Sequence, residues 1–324
     1  GVRAIHLFTA GFRETGEDER AELERRVLER ARAAGIRLIG PNCMGLYCPS
    51  SGLSWWSLFP REPGTVAFIS QSGLNAEDLI LYGSLRGIRF SKVISYGNAT
   101  DLDESDFLAY CAADPQTEVI ALYVEGVKDG QRFLRALRAA SAAKPTVFLK
   151  GGLSAAGTRA ARSHTGSLAG SAAVWEALGR QAGVVSVKSM EELEDAVVTF
   201  LFLGRPPRRG IAIVLEGGGS SVVAADIADR AGLHLPPLPE ELRAELRQFV
   251  PVAGTGLGNP VDLPWMEDRE RFSKTMGLVA SAPGVDLVLV VARFNWVPPD
   301  QEPAEFTQAS LDALAEASRH TDKP

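Results

Sequence analysis

Short, continuously apolar segments alternate with longer amphipathic segments along most of this chain, and this alternation constrains the fold more than any other feature of the sequence. Residues 65–69 and 118–124 are apolar and strand-sized, whereas 73–86 and 128–143 have the spacing of amphipathic helices. Strands that lack polar alternation are typical of a parallel sheet whose two faces are both covered by helices. The sequence therefore predicts an α/β fold built on parallel sheets.

The same patterns assign elements along the whole chain. Strands are predicted at 3–8, 36–39, 65–69, 90–95, 118–124, 146–149, 211–215 and 285–291. Helices are predicted at 17–34, 73–86, 104–113, 128–143, 170–182, 189–203, 219–232 and 239–248. One face of the first helix carries its apolar residues, Leu23, Val27, Ala31 and Ala34.

Two stretches rich in loop-forming residues divide the chain. Residues 45–63 contain Pro, Ser and Gly and are predicted to be a linker, and 205–209 reads Arg-Pro-Pro-Arg-Arg. We therefore predict three α/β units, at 1–62, 63–205 and 206–324. The second and third share one plan, in which a buried strand opens into a Ser/Gly turn and then a helix.

The two ends of the sequence are abrupt. The chain begins at Gly1, directly before a strand, and stops at Pro324, just after a helix-like stretch. In an alternating α/β chain another strand would follow there. We expect a piece of a longer protein, and a processed protein with short ends is the alternative.

The charge balance and the cysteine content exclude several classes of protein. With 34 Lys+Arg against 40 Asp+Glu, the net charge of −6 argues against a chain-wide nucleic-acid-binding surface. No apolar run approaches the roughly 18–20 residues that span a bilayer. Three cysteines are too few for a disulfide framework, and Cys43 and Cys48 have no His or Cys partner at zinc-like spacing. We predict a cytoplasmic protein without a metal site and with neither membrane nor nucleic-acid partners.

Two turns have the composition of anion sites. Ser70, Ser72 and Gly73 form a strand-to-helix turn, where free N–H groups and the helix dipole favour phosphate. An ordinary Ser N-cap is the alternative. The glycines Gly217, Gly218 and Gly219 occupy the matching place in the third unit and could form a nest of N–H groups, or simply a tight turn. The carboxylate of Glu216 before them would repel a phosphate unless it points away.

Two side chains could act together in phosphoryl transfer. His164 lies among small residues in the loop 150–170, and a histidine nitrogen can accept a phosphoryl group. A surface histidine in a flexible loop is the alternative. Glu125 ends a buried strand, which is where open α/β sheets place their sites, and its carboxylate could hold an imidazole N–H. A solvated strand-end glutamate is the alternative, and we expect this strand end to be accessible to solvent.

Several motifs occur in the order found in one family. They are Gly11-Phe12-Arg13-Glu14-Thr15-Gly16, Ile39-Gly40-Pro41-Asn42-Cys43-Met44-Gly45, Ser70-Gln71-Ser72-Gly73, Gly97-Asn98, Tyr123-Val124-Glu125-Gly126, Ser163-His164-Thr165-Gly166 and Asn259-Pro260-Val261-Asp262. Over nearly its whole length the chain closely resembles the NDP-forming acyl-CoA synthetases, which include ADP-forming acetyl-CoA synthetase and are related to succinyl-CoA synthetase.

The resemblance implies an architecture and a reaction. Residues 1–62 would be the remnant of a Rossmann-like CoA-binding domain, and two flavodoxin-like, succinyl-CoA synthetase-like domains would follow. Acyl-CoA and phosphate would give an acyl phosphate, whose phosphoryl group passes to a histidine and then to ADP. The implied cofactors are CoA and ATP or ADP with Mg²⁺, the nucleotide being held on an ATP-grasp domain or subunit that is absent from these residues.

The resemblance also implies roles for individual residues. His164 matches the phosphorylated histidine, and Glu125 looks like the carboxylate that orients it. Two helix starts would face the phosphohistidine, namely Ser70, Ser72 and Gly73 in one and Gly217, Gly218 and Gly219 in the other. Asn42 and Cys43 would lie near the thiol end of CoA, without a nucleophilic role for Cys43.

The chain departs from the family in three respects. The family's first strand and Gly-rich CoA-binding turn would precede Gly1, the ATP-grasp region is absent, and Glu216 stands where an uncharged residue is usual. We therefore expect this chain to need an ATP-grasp partner, within a homo- or hetero-oligomer, and to act on a small carboxylic acid, its acyl-CoA and phosphate. The alternative is a non-catalytic acyl-CoA-sensing module of a regulatory protein, such as a fused protein acetyltransferase.

Overall fold

Contacts among the described residues separate the chain into two units, Gly1–Gly204 and Arg205–Pro324. The computed structural model describes residues 1–154, 156–157, 171–203, 209–263, 268–292 and 302–324. His164 and the Pro/Arg-rich boundary at 205–208 lie outside the described residues. The boundary between 62 and 63 stays a prediction.

The first unit opens with a two-stranded sheet. Strands β1 (Ala4–His6) and β2 (Arg37–Ile39) pair in parallel, and helix α1 (Asp18–Ala33) connects them. The predicted apolar face of α1 is wrong in part, because the helix buries Glu24 and Ala31 while Leu23 is exposed. Glu24 is buried because its carboxylate accepts hydrogen bonds from residues that are distant in sequence, including the side-chain amide of Asn98 at 3.0 Å.

A six-stranded sheet forms the centre of the first unit. In sequence order its strands are β3 (Leu46–Tyr47), β4 (Val66–Ser70), β5 (Phe90–Ser95), β6 (Val119–Val124), β7 (Thr146–Lys150) and β8 (Val185–Val187). Their spatial order is β3-β5-β4-β6-β7-β8, and every pairing is parallel except the one between β3 and β5. This confirms the predicted parallel sheet. The carboxyl ends of β4 and β6 are adjacent, which brings the residues that follow each strand together.

Helices cover both faces of this sheet, as the continuous apolar strands predict. They are α2 (Gly73–Leu85), α3 (Glu104–Ala113), α4 (Gly130–Ala143), α5 (Ala172–Ala182) and α6 (Met190–Leu203). One face packs against α3, α4 and α5 through the buried rings of Phe107, Phe133 and Trp175. The other packs against α2 and α6 through Leu79 and Val197. Burial of each large side chain stabilises the fold by about 1.5–3 kcal/mol.

The stretch 45–63, predicted as a linker, is part of the packed structure. It contributes β3 to the sheet edge, and the rings of Tyr47 and Phe59 are buried, with centroids 5.4 Å apart. The Tyr47 hydroxyl donates to the carbonyl oxygen of Pro60 at 2.6 Å. The prediction was wrong because Pro and Ser punctuation outweighed aromatic residues, which find partners only in the folded chain.

The second unit is a smaller α/β layer structure. Its strands are β9 (Ile211–Leu215), β10 (Gly256–Leu257), β11 (Val261–Asp262) and β12 (Leu287–Val291), in the spatial order β10-β11-β9-β12. Strand β9 pairs in parallel with both β11 and β12. Its helices are α7 (Gly218–Arg230), α8 (Glu240–Leu246), α9 (Arg269–Ser281) and α10 (Pro303–Ala317).

The sequence patterns missed several elements of this unit. Strands β10 and β11 are two residues long, too short for a periodicity signal. Helix α9 was also missed, although it buries Phe272 and Met276 against the sheet. Within the described ranges, no helix is both long and apolar enough to cross a membrane.

Candidate active site

The turn between β4 and α2 has the geometry of a capped helix start. Ser72 is the N-cap, and its hydroxyl oxygen accepts a hydrogen bond from the backbone N–H of Asn75 at 3.3 Å. Ser70 is fully buried, and its hydroxyl donates to the carbonyl oxygen of Ser72 at 2.6 Å. First-turn N–H groups have no acceptor within a helix. The groups that can face an anion are therefore the N–H groups of Gly73 and Leu74 and the Ser72 hydroxyl, while Ser70 fixes the turn.

Gly73 is required by a neighbouring side chain. A Cβ atom at this position would lie 2.2 Å from Cγ of Met44, whose side chain runs over the first turn of α2. The backbone N–H of Met44 donates to the hydroxyl oxygen of Ser95 at 3.0 Å, which fixes this segment against the end of β5. Because Gly73 has no side chain, the segment that contains Asn42 and Cys43 can pack close to the start of α2.

Gln71 joins the ends of β4 and β6. Its side-chain oxygen accepts hydrogen bonds from the backbone N–H groups of Glu125 at 2.7 Å and Gly126 at 3.1 Å. Its own backbone N–H donates to the carbonyl oxygen of Tyr123 at 3.0 Å. The sequence placed Gln71 inside a candidate turn without giving it a role. The structure shows that it links the two predicted site segments directly.

The carboxylate of Glu125 is buried, contrary to the expectation of a solvent-accessible strand end. Glu125 is 7% exposed, and the Tyr123 hydroxyl donates to its Oε1 at 3.2 Å. Burial raises the pKa of Tyr123 above its usual value, and the neighbouring Glu125 raises it further. Tyr123 therefore stays a hydrogen-bond donor. Side chains from the two neighbouring strand ends cover this one: Gln71 reaches across from β4 to the N–H groups of Glu125 and Gly126, and Lys150 of β7 donates to the Glu125 carbonyl oxygen.

Cys43 follows β2 and packs against the end of β1. Its thiol is 5% exposed, and Sγ lies 3.2 Å from both His6 Nε2 and the carbonyl oxygen of Leu7. Burial raises the pKa of this thiol to about 12, so it stays protonated at neutral pH. The preceding residue, Asn42, adopts a left-handed backbone with φ of 58° and donates from Nδ2 to Asn98 Oδ1 at 3.3 Å.

The Gly97-Asn98 turn packs against the same segment. A Cβ atom at Gly97 would lie 2.0 Å from the carbonyl oxygen of Asn42, so only glycine permits this approach of the two backbones. Asn98 is fully buried, and its amide also donates to Glu14 Oε2 at 2.6 Å. The Gly97-Asn98 motif therefore ties the Gly11–Gly16 motif, through Glu14, to the ends of the six-stranded sheet.

In the second unit, a carboxylate occupies the start of α7. The backbone N–H of Gly217 donates to Asp262 Oδ1 at 2.7 Å, and Asp262 is itself buried. The buried charge lies at the positive end of the helix dipole, which it partly neutralises. The predicted anion site at Gly217, Gly218 and Gly219 therefore has a fixed negative charge beside it, in addition to Glu216 in the sequence.

Asn259 lies two residues before β11, and its side chain makes hydrogen bonds of the kind that a paired strand would make with β9. Its side-chain oxygen accepts from the backbone N–H of Ile213 at 3.0 Å, and its amide donates to the carbonyl oxygens of Ile211 at 2.8 Å and Pro236 at 3.0 Å. The Asn259–Pro260 peptide bond is cis. This motif thus serves the second unit structurally, pairing backbone groups of β9 and presenting Asp262.

The structure brings together Ser72, Gly73 and Glu125 at one end of the six-stranded sheet, with Asn42 and Cys43 beside them. Gly217, Gly218 and Gly219 belong to the second unit, and His164 lies outside the described residues. No cluster of His, Cys, Asp or Glu suited to a metal ion occurs in the parts of the chain that the structure describes. Gln71 and Tyr123 are the site residues that the sequence did not single out. The only signal for Gln71 was a polar side chain directly after a buried strand.

Comparisons with known proteins match both units. A family model described as succinyl-CoA ligase like flavodoxin domain matches residues 63–200, and one described as ligase-CoA domain matches 211–324. The chain is 40% identical to acetate–CoA ligase (ADP-forming) I of Archaeoglobus fulgidus and 39% identical to the alpha subunit of acetate–CoA ligase (ADP-forming) II of Pyrococcus furiosus, each over 90% of this chain.

A solved structure agrees over the full length of the chain. It is the dinucleotide forming acetyl-coenzyme A synthetase 1 of Ca. Korarchaeum cryptofilum in complex with phosphate and ADP, with a TM-score of 0.84 and 32% identity. The match covers 100% of this chain and 68% of that one. The chain spans 42% of the Archaeoglobus ligase and 63% of the Pyrococcus alpha subunit.

Proposed function

The chain belongs to the NDP-forming acyl-CoA synthetase family, and on that basis we propose that it is the phosphohistidine-bearing part of such a synthetase. The whole enzyme would interconvert acyl-CoA, ADP and phosphate with a carboxylic acid, ATP and CoA. The observation that carries the proposal is the link through Gln71, which joins the start of α2 to Glu125 at the end of β6.

The reaction proceeds in three balanced steps. Phosphate attacks the thioester carbonyl, the C–S bond breaks, and CoA leaves as the acyl phosphate forms. A ring nitrogen of His164 then takes the phosphoryl group, and the carboxylic acid leaves as its carboxylate. Finally the phosphoryl group passes from the nitrogen to ADP, which regenerates the histidine. Each step is reversible, so the same site also serves acyl-CoA synthesis.

Glu125 is proposed to hold the imidazole of His164. A carboxylate that accepts the N–H of the non-reacting nitrogen fixes the tautomer in which the other nitrogen is nucleophilic. It also stabilises the positive charge that develops on the ring as the phosphoryl group is bound. The fixed position of Glu125, set by Gln71 and Tyr123, supports this role.

The start of α2 is proposed to stabilise the phosphoryl group. A phosphohistidine carries close to two negative charges, and a helix start stabilises an anion by about 0.3–2 kcal/mol, depending on burial. The N–H groups of Gly73 and Leu74 and the Ser72 hydroxyl would supply charge-assisted hydrogen bonds. We propose the same role for Gly217, Gly218 and Gly219, with Asp262 limiting the strength of that second site.

The thiol end of CoA is proposed to lie near Asn42 and Cys43. The half-buried amide of Asn42 offers polar groups to a ligand, whereas the Cys43 thiol stays protonated and does not compete as a nucleophile. The nucleotide, with the Mg²⁺ that neutralises its phosphates, would be held by an ATP-grasp domain or subunit. The match to a protein named as an alpha subunit supports such a partner.

The test is an assay of ATP formation by the full-length protein, assembled with its ATP-grasp partner where that is a separate chain. We expect one ATP and one CoA for each acyl-CoA consumed, with strict dependence on ADP and phosphate. Short-chain acyl-CoAs are the first substrates to compare. Binding of acyl-CoA without turnover would contradict the proposal and favour a sensing module instead.

A further inference from the structure

The ammonium group of Lys150, the last residue of β7, holds two backbone carbonyls. It donates to the carbonyl oxygen of Glu125 at 2.8 Å and to that of Gly151. The side chain is 6% exposed, although it carries a charge. A buried lysine without compensating hydrogen bonds would be strongly unfavourable. These two carbonyls, one from the end of β6 and one from the chain leaving β7, supply that compensation.

The surroundings of Lys150 restrict its position further. Its ammonium lies 4.9 Å from the ring centroid of Trp175 on α5, which adds a cation–π contact. The neighbouring Gly151 lies over Tyr123, and a Cβ atom there would be 2.5 Å from the Tyr123 hydroxyl oxygen. Lys150 is therefore connected, through Gly151, to Tyr123, whose hydroxyl donates to the Glu125 carboxylate.

The charge on Lys150 is sensitive to pH near neutrality. Burial lowers its pKa to about 8, and the nearby Glu125 opposes that effect. The ammonium therefore predominates at pH 7 and is lost as the pH rises above 8. The titratable group that acts on it is Glu125, directly after β6, and Tyr123 on β6 lies against the neighbouring Gly151. The pKa of Tyr123 is raised above its usual value, so it does not titrate in the same range.

We propose that Lys150 is a positioning residue for phosphoryl transfer. Its ammonium fixes the backbone of Glu125 relative to Gly151, from which the chain continues toward His164. In this way Lys150 sets the distance between Glu125 and Gly151, where the segment that leads to His164 begins. The inference rests on the proposed function, because it assigns Lys150 a part in the same reaction.

Lys144 provides a matched control near the other end of the same strand. It lies two residues before β7, at the opposite end from Lys150, and its ammonium also donates to two backbone carbonyls, those of Cys111 at 2.7 Å and Asp114. Lys144→Met and Lys150→Met therefore remove the same kind of interaction from the two ends of one strand. Of the two lysines, only Lys150 lies at the candidate active site, where it contacts Glu125.

The first measurement is the single-turnover rate of His164 phosphorylation from ATP at pH 7.5, in the full-length protein with its ATP-grasp partner. We expect Lys150→Met to slow it about ten- to a hundredfold, the factor for loss of a hydrogen bond to a charged group. Lys144→Met should stay within about twofold of wild type, because Lys144 bonds Cys111 and Asp114 at the end of β7 that lies away from the site. Lys150→Gln, which keeps an N–H donor, provides a second variant if the Met variant folds poorly.

The second measurement follows the wild-type rate from pH 7 to pH 10, beside the free energy of unfolding. Because the lysine pKa is lower in the folded state, the free energy of unfolding increases between pH 8 and 10.5, where the unfolded chain still holds a proton that the folded chain has lost. The rate should fall over the same range as the ammonium is lost. If Lys150 had only a structural role, the rate would not fall over the range in which the free energy of unfolding rises. Lys150→Arg, which stays charged, should lack the alkaline fall.

The outcomes are distinct. Wild-type rates and an unchanged pH profile in Lys150→Met would overturn the assignment, as would an equal loss in Lys144→Met. Failure of the wild-type protein to form phosphohistidine would instead contradict the proposed function, and the role of Lys150 with it.

Discussion

The side-chain oxygen of Gln71 lies 2.7 Å from the backbone nitrogen of Glu125, across the gap between the carboxyl ends of β4 and β6. The same oxygen accepts from the N–H of Gly126. The side-chain amide of Gln71, which directly follows β4, thus fixes the backbone of Glu125, the residue proposed to orient His164. The helix start at Ser72 and the carboxylate of Glu125 are held as one unit for this reason.

Replacing Gln71 should lower the stability of the first unit. Gln71→Leu leaves the two N–H groups of Glu125 and Gly126 buried without their acceptor. At about 1–3 kcal/mol for each unsatisfied group, the free energy of unfolding should fall by roughly 2–6 kcal/mol. Urea denaturation of each variant measures this loss. Gln71→Glu is the control, since it keeps an acceptor at the same position and should lose less.

The Glu125→Gln variant tests the charge of the orienting carboxylate. It keeps an oxygen that can accept from the Tyr123 hydroxyl, so the melting temperature should change little even though the site is buried. Phosphoryl transfer should slow about ten- to a hundredfold or more, because a hydrogen bond to a charged partner contributes roughly 1.5–3 kcal/mol.

Single-turnover phosphorylation of the full-length enzyme measures that effect, beside thermal melts. Glu125→Asp should also be slow, since its carboxylate is drawn back by one methylene. Wild-type rates in Glu125→Gln would remove Glu125 from the site, and a large loss of stability would make its role structural.

Glu104 should make the stability of the first unit depend on pH. It begins α3 at 2% exposure, and burial raises its pKa from 4.5 to about 7. The folded state therefore binds more protons than the unfolded state between these values, and the contribution of Glu104 is lost as the pH rises from 4.5 through 7. Glu104→Gln should be more stable than wild type at pH 8, by up to about 3 kcal/mol.

Unfolding experiments at pH 5 and pH 8 check that prediction. The difference between Glu104→Gln and wild type should be small at pH 5 and larger at pH 8. A constant difference would mean that the carboxyl titrates at its ordinary value.

Asn259 should be a structural residue of the second unit. Asn259→Ala leaves the N–H of Ile213 and the carbonyls of Ile211 and Pro236 without their partner. We expect the variant to lose at least about 2–3 kcal/mol of stability, at roughly 1 kcal/mol or more for each group. Asn259→Asp, which keeps the acceptor but not the donor, should be intermediate. Calorimetry that shows no loss in Asn259→Ala would contradict this account.

The sequence was sufficient for the parallel α/β architecture, although it missed the short strands β10 and β11 and helix α9. Continuous apolar segments such as 118–124 predicted a buried parallel sheet, and the position of Glu125 directly after one of them predicted a residue at the sheet's carboxyl edge. Both are local patterns that the fold preserves. The burial of Glu125 was not predicted, because it depends on Gln71 from a neighbouring strand.

Other misses have the same origin. Glu24 resembles a solvated helix residue in sequence, yet it is buried because Asn98 donates to it from 74 residues away. Tyr47 and Phe59 lie among loop-forming residues and become core only through their mutual contact. Hydrophobic periodicity does not predict the hydrogen bonds between Asn259 and the backbone of β9, because a single polar side chain makes them. Local sequence patterns do not predict long-range polar and aromatic contacts of this kind, because the partners come together only when the chain folds.

The most direct measurement is the chemical identity of the phosphorylated residue. Incubation of the full-length protein, with its ATP-grasp partner, and labelled ATP should give a label that is stable to base and labile to acid, as expected for a phosphorus–nitrogen bond. Peptide mapping should locate it at His164, and His164→Ala should abolish it while the protein remains folded. Label that persists in His164→Ala, or that resists acid, would contradict the assignment.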